Sequence, residues 1–405
     1  MSDSFPTRFL WGASTSGHQT EGNNTASDLW AIENQPDSPM PEPSGDACDS
    51  LHRWPEDLDL VAGLGLNAYR FSIEWARVEP APGLISLAML GHYHRIITGC
   101  LDRSITPVVT LHHFSSPLWF HGAGGWTSPR APELFGNYVR AVTPILDGVE
   151  WVCTINEPNM IAIMHGARNI PSSGERSAAG LAEPDQAVTA TLVRAHRAAR
   201  HELSVVTGVR AGWTVANQAV QAAGGAEDRA EQWRQTREDQ FLDVAAGDDF
   251  VGVQAYSRTL IGPDGPLPPD GQTRRTLTGW EFYPPALEAA VRHTASRLPG
   301  MPILVTENGI ATRHDAERIE YTRDALAGLS GAIDDGIDVR GYLHWSLLDN
   351  YEWGSYQPTF GLVGVDHDTF ARSIKPSGYW LGSVAKANGA VMVTAADEPS
   401  PSGAE

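Results

Sequence analysis

Short apolar runs alternate with longer amphipathic stretches along almost the whole chain. The runs are rich in β-branched and aromatic residues and fall at 9–14, 68–73, 106–111, 149–154, 210–215, 250–253, 303–306 and 341–346. Their lengths and residue types favour buried strands. Helical patterns lie between them at 56–63, 87–102, 133–146, 185–203, 228–245, 285–297 and 315–334. Several open with Pro or Asp and close near Gly, the asymmetry of helix ends. A strand that pairs parallel to its predecessor needs a crossover, so this alternation implies a parallel sheet, and eight repeats imply a closed one. The predicted fold class is α/β, a (β/α)8 TIM barrel. A doubly wound open sheet is the alternative, but no glycine-rich phosphate loop follows the first strand.

A length of 405 residues suits one large barrel or two to three average domains. No Ser/Gly/Pro-rich linker divides the chain, so a single domain is expected over 1–390, with a flexible tail over 391–405. Apolar residues at 41% and charged residues at 19% exclude a disordered composition. The formal charge of −20, with no basic run, argues against nucleic acid and anionic membrane surfaces as partners. Cys48, Cys100 and Cys153 lack metal-ligand spacing and do not form a disulfide framework. The first residues carry neither a basic region nor an apolar core, and no run reaches membrane-spanning length, so a cytoplasmic protein is expected. No motif reports an oligomeric state.

Two places carry candidate chemistry. The run ending Thr154-Ile155-Asn156 is followed by Glu157 and Pro158, and Pro158 cannot continue a sheet ladder. The run 303–306 is followed at once by Glu307-Asn308-Gly309, 150 residues further on. Either glutamate alone could be a helix cap or a solvated loop residue. As a pair on one rim of a parallel barrel they match what glycoside hydrolysis needs, two carboxyl groups flanking one sugar bond.

Other strand ends add polar and aromatic groups. Gln19 follows the first strand, and its amide can both donate to and accept from hydroxyls. In Arg70-Phe71-Ser72-Ile73, alternation sends Arg70 and Ser72 inward if Phe71 and Ile73 pack outward, and a buried arginine needs an anion. His112 and His113 are adjacent on a strand and point to opposite faces, so they do not share a metal; His113 reads as a hydroxyl-binding group. Trp345 and Trp353 offer flat faces to a pyranose ring, with Glu352 between them to accept from its hydroxyls. Loops 23–47 and 260–279 are long enough to wall an entrance.

These residues resemble glycoside hydrolase family 1, the retaining β-glucosidase and β-galactosidase group. FLWGASTSGHQTEG, YRFSIEWARVEP, TLHHF, TINEPN, VTENG and WSLLDNYEW occur in the family's order. The resemblance implies Glu157 as general acid/base and Glu307 as nucleophile. It implies substrate binding by Gln19, His113, Asn156, Tyr256, Glu352, Trp353 and Phe360, with Trp345 beneath the sugar. Arg70 and Tyr256 would orient the nucleophile and draw its pKa down, while desolvation and nearby negative charge would raise that of Glu157. No cofactor or metal is implied. The expected substrate is a small or oligosaccharide β-glycoside, glucoside first, with galactoside, fucoside and transglycosylation as side activities. Retention of configuration implies carboxyl groups about 5–5.5 Å apart.

Three departures stand out. Gln254 occupies the family's usual asparagine position, Phe114 replaces the usual tryptophan, and the segment 354–360 is one residue short. A 6-phospho-β-glycosidase is the nearest alternative enzyme, but Gln357-Pro358-Thr359 offers no lysine and Glu352 would repel a phosphate dianion. A non-catalytic sugar-binding barrel is the remaining alternative; both glutamates are nevertheless present.

Overall fold

Eight strands carry the predicted apolar runs, and each is followed by a principal helix. In chain order these are β1 Leu10–Ser14, α1 Ser50–Leu64, β2 Ala68–Ser72, α2 Leu87–Asp102, β3 Thr106–Thr110, α3 Ala131–Val142, β4 Trp151–Asn156 and α4 Gln186–Leu203. The second half adds β5 Arg210–Ala216, α5 Glu227–Arg234, β6 Val251–Gln254, α6 Ala286–Arg297, β7 Ile303–Asn308, α7 Asp315–Asp334, β8 Val339–Trp345 and α8 Pro376–Lys386. This computed structural model describes residues 5–168 and 181–390. The tail expected over 391–405 lies outside them.

All neighbouring barrel strands pair parallel, and β1 closes the sheet by pairing with both β2 and β8. Every strand's C-terminal end therefore lies on one rim. The elements form for local reasons. Ser86 caps α2 by accepting from the Met89 N–H, and Asp185 caps α4 by accepting from Ala187 and Val188.

Two layers of apolar packing hold the barrel. The larger lies between strands and helices and includes Phe71, Ile73, Val109, Val152, Val253 and Val305. The smaller fills the lower interior with Leu10, Ala68, Val108, Trp151, Cys153, Phe250, Leu304 and Leu343. Strand β5 contributes Gly212 to this level, where a Cβ would stand 2.0 Å from the Phe250 carbonyl oxygen. The barrel is thus plugged below, and its upper interior is left to polar groups.

Several boundaries differ from the sequence expectations. Helix α1 starts at Ser50 with Pro55 inside it, whereas the proline reads as a helix start in sequence. The pattern 228–245 is broken: α5 ends at Arg234 and a π-helical turn spans Gln235–Asp239 before Gln240–Val244. Helix α8 was not anticipated. Strand β7 continues through Glu307 to Asn308, so Glu307 is a strand residue rather than the first residue beyond. The register shift between Val305 and Glu307 re-aims its side chain into the barrel.

Candidate active site

The polar upper layer is built around Arg70. Its side chain is fully buried, and alternation along β2 carries it inward while Phe71 joins the outer core. It donates to Thr110 Oγ1 at 3.0 Å, to Glu307 Oε1 at 2.6 Å and to Asn156 Oδ1. Gln254 Nε2 also donates to Glu307 Oε1, at 2.9 Å, and the Tyr256 hydroxyl donates to Oε2 at 2.5 Å. Tyr256 is held in turn, because the Tyr321 hydroxyl on α7 donates to its carbonyl at 2.7 Å. Glu307 thus has three donors directed at its carboxylate.

Glu157 follows β4 with φ of +46°. Its N–H donates to the Thr214 carbonyl at 2.9 Å, and its own carbonyl accepts from Ile161 at the start of the next helix. A non-glycine residue in this region is strained, and the surrounding bonds hold it there. Burial raises the Glu157 carboxyl well above its usual pKa, the Glu307 charge raises it further, and Arg70 offsets part of this. Glu307 departs from expectation. Burial outweighs the opposing influences of Arg70 and Tyr256, so its pKa is raised rather than lowered. The predicted contacts are present, but they act against a larger desolvation cost. The ordering survives, because Glu307 has three donors, one of them the Arg70 cation, while Glu157 faces a like charge.

A second cluster lies along the wall. Glu352 Oε1 accepts from the Trp345 indole N–H at 3.1 Å, and Oε2 accepts from Gln19 at 3.3 Å. The buried Gln19 amide is fixed by Tyr351 O at 2.9 Å and by Ser16, whose hydroxyl donates to its oxygen at 2.7 Å. His113 stacks on Trp345 at 5.7 Å and 20°, and Trp353 lies 6.3 Å from His113 at 19°. Burial first, then Arg70 and His112, hold His113 well below the usual imidazole pKa, so it is neutral. Its Nδ1 has no protein partner, nor has Asn156 Nδ2. His112 points away, edge-on to Trp126 and Phe135 in the outer core.

Of the residues singled out from the sequence, Arg70, Asn156, Tyr256 and Glu307 meet in the first network and Gln19, His113, Trp345, Glu352 and Trp353 in the second, whereas His112 faces the outer core. Phe360 packs with Trp345 and Ala311, 5.9 Å edge-on from Tyr256. Loop 23–47 braces the wall: Tyr351 donates to the Glu42 carbonyl at 2.7 Å, and Glu42 N–H to that of Gly354 at 3.0 Å. Phe114 packs edge-on to Trp353 at 5.1 Å. Sequence reasoning missed Trp280, which lies 5.5 Å from Tyr256 and is 44% exposed. A tryptophan in a glycine-containing loop was the available signal. It also missed Thr110 and Thr214, whose hydroxyls join the Arg70 and Asn156 network.

The described residues contain no group of three or more His, Cys, Asp or Glu arranged for a metal, and no helix among them is long and apolar enough to cross a membrane. The three cysteines are buried and unpaired. Lys375, one of two lysines, is occupied by Asp349 at 2.7 Å. The rim therefore offers two electrostatically interacting glutamates, one of them held by three donors, beside amide, imidazole and aromatic groups.

Comparison with known proteins agrees with that chemistry. The model of Glycosyl hydrolase family 1 matches residues 1–261 and 226–390. A beta-glucosidase from an Agrobacterium species is 32% identical over 94% of this chain and 95% of its own. A bifunctional beta-D-glucosidase/beta-D-fucosidase from Bifidobacterium breve is 30% identical over 93% and 97%. The crystal structure of beta-glycosidase BGL167 superposes with a TM-score of 0.87 at 41% identity, covering 99% of this chain and 100% of that one. With the family match spanning the barrel from end to end, the chain belongs to glycosyl hydrolase family 1.

Proposed function

We propose that the protein is a retaining β-glycosidase that removes terminal non-reducing β-D-glucosyl residues. The observation that carries this reading is the carboxylate of Glu307, gripped by Arg70, Gln254 and Tyr256 and electrostatically coupled to Glu157. Glu307 ionises more readily because its negative charge is the one with donors. Glu157 keeps its proton because burial and the neighbouring anion both oppose its ionisation.

In the first step a Glu307 oxygen bonds to the anomeric carbon as the bond to the leaving oxygen breaks, and Glu157 gives that oxygen its proton. In the second, Glu157 takes a proton from water as the water oxygen attacks the same carbon and frees Glu307. Two inversions give net retention. If a sugar hydroxyl replaces water, the outcome is transglycosylation.

The sugar meets Gln19, Glu352, His113 and the free Asn156 amide N–H groups at its hydroxyls, with Trp345, Trp353 and Phe360 as apolar walls. Glucosides come first, and galactosides and fucosides are side substrates because Gln19 and Glu352 together present donors and acceptors to either hydroxyl orientation. Binding of a 6-phosphate is opposed by Glu352 and by the absence of a free lysine at the described rim.

The test is nitrophenol release from the nitrophenyl β-D-glucoside, galactoside, fucoside and 6-phosphoglucoside, by the intact protein and by Glu307→Gln. Release from the plain glucoside that vanishes in the variant, with β-glucose as the first anomer seen by NMR, is expected. Glucose bound without release points to a sugar-binding barrel. Preference for the phosphorylated glucoside overturns the glycone assignment.

A further inference from the structure

Gln254 closes β6 and is 1% exposed, directly against the reacting groups. Its Nε2 lies 2.9 Å from Glu307 Oε1, 2.8 Å from Asn156 Oδ1 and 3.2 Å from Thr214 Oγ1. We propose that Gln254 is a positioning residue that clamps the Glu307 carboxylate and the Asn156 amide to one another, and so sets the rate at which the glycosyl-enzyme forms. The inference rests on Glu307 being the nucleophile.

The orientation of the amide follows from charge. Gln254 Oε1 has no partner, yet turning the amide over would set that oxygen against the Glu307 carboxylate and the Asn156 carbonyl oxygen. Leaving one acceptor unpaired costs less than facing a carbonyl oxygen onto an anion. Both amide hydrogens are therefore committed, one to the nucleophile and one to Asn156. Asn156 Oδ1 then has three donors, Arg70, Thr214 and Gln254, which holds Asn156 Nδ2 outward and unpartnered.

The backbone cannot slide to compensate for a change of side chain. Gln254 pairs with Glu307 at the register shift between β6 and β7, and its carbonyl accepts from the Asn217 N–H at 2.7 Å. An asparagine here is shorter by one methylene, about 1.5 Å, and cannot span both acceptors from this position. The bonds are also unevenly placed on Glu307. Oε1 accepts from Arg70 and Gln254, whereas Oε2 accepts from Tyr256 alone, so Gln254 helps pin one oxygen while the other keeps spare lone-pair capacity.

The probe is 2-deoxy-2-fluoro-β-D-glucosyl fluoride. As a Glu307 oxygen bonds to the anomeric carbon, the carbon–fluorine bond breaks and its electron pair leaves as fluoride. No proton from Glu157 is required. The missing 2-hydroxyl also silences any contribution from a hydroxyl held there by Asn156, so the labelling rate reports the arm on Glu307. Labelled peptide mass from the unaltered protein checks the underlying reading: a label at Glu307 supports it, and no label or one elsewhere overturns both it and the clamp.

With Gln254→Leu the label is expected at Glu307 but about 10- to 100-fold slower, with the acid limb of the labelling rate moved up by about one pH unit. Gln254→Asn is expected to fall between the two. kcat/KM for the glucoside falls further than the labelling rate, because the Asn156 arm then counts. A folded Gln254→Leu protein, judged by circular dichroism, that labels at the original rate with the original acid limb overturns the clamp. Should the leucine variant not fold, Gln254→Asn decides by the same two readouts, and unaltered values reject the proposal.

Discussion

The barrel interior has two storeys made from the same strands. Ala68 and Val108 belong to the lower plug, and two residues further along each strand Arg70 and Thr110 belong to the hydrogen-bonded upper layer. Alternate strand residues share a face, so each strand supplies both storeys without bending. The lower storey is held by close packing and excluded water. The upper one is held by charges and amides that satisfy one another. The difference teaches that the plug sets the energetic stakes of the layer above without taking part in its chemistry. By keeping water from beneath Arg70 and Glu307, it strengthens their attraction and makes either one costly to leave alone.

The division can be broken most sharply at Glu157. Glu157→Gln is expected to slow hydrolysis of an alkyl glucoside by about 10²- to 10⁴-fold, and a dinitrophenyl glucoside loses much less in the first step because its leaving group needs little proton assistance. Burial and the Glu307 charge raise the Glu157 pKa, and the group must be protonated to act, so the normal rate falls as pH climbs through that value. Stopped-flow rates against pH are expected to lose this basic limb in the variant. The same shift has a stability sign. A carboxyl that holds its proton more tightly when folded contributes stability below the unfolded pKa, and that contribution is lost as pH rises from about 4.5 through the folded pKa. Melting temperature against pH should therefore decline less steeply in Glu157→Gln.

Arg70→Met comes next. It strands a buried carboxylate, and denaturant titration is expected to show a loss of about 3–5 kcal/mol. Activity per folded molecule should fall about 10²- to 10³-fold. Leu304→Ala, in the storey below, supplies the contrast. It leaves a cavity costing about 2–5 kcal/mol, with kcat/KM per folded molecule essentially unchanged. A catalytic loss as large as that of Arg70→Met would mean that the two storeys are not separable. The smallest effect is expected at the mouth, where Trp280→Ala should raise KM for aryl glucosides by up to about 10-fold, leave kcat alone and shift stability by about 0.5 kcal/mol or less.

The strands and the two glutamates were legible because they are local signals. A buried parallel strand must be an apolar run, and a carboxylate at its end interrupts that run visibly. The charge partner of Arg70 was legible as a need, since an inward arginine requires an anion. Helix α8 was harder, because Gly378 and Gly382 weaken its helical pattern and its packing against α1 and α7 is not visible in the order of residues. Helix α1 begins at Ser50, upstream of Pro55, for a similar reason: packing extended the helix past a residue that reads locally as its start. Trp280 escaped notice because a single aromatic residue in a loop has no period to mark it. The net shift of Glu307 was misjudged because desolvation depends on everything that surrounds the group, while its partners can be named from sequence.

What the amino-acid order determined by itself was the barrel, the inward face of a residue such as Arg70, and the placing of two carboxyl groups at strand ends, since these follow from periodicity and from where the apolar runs stop. What only the tertiary structure decided was how the groups meet. The register shift in β7 turns Glu307 inward, and Gln254, 53 residues earlier, reaches across to hold both it and Asn156. Hydrogen bonds depend on tenths of an ångström between distant strands, and closing the barrel is what brings those strands to their places.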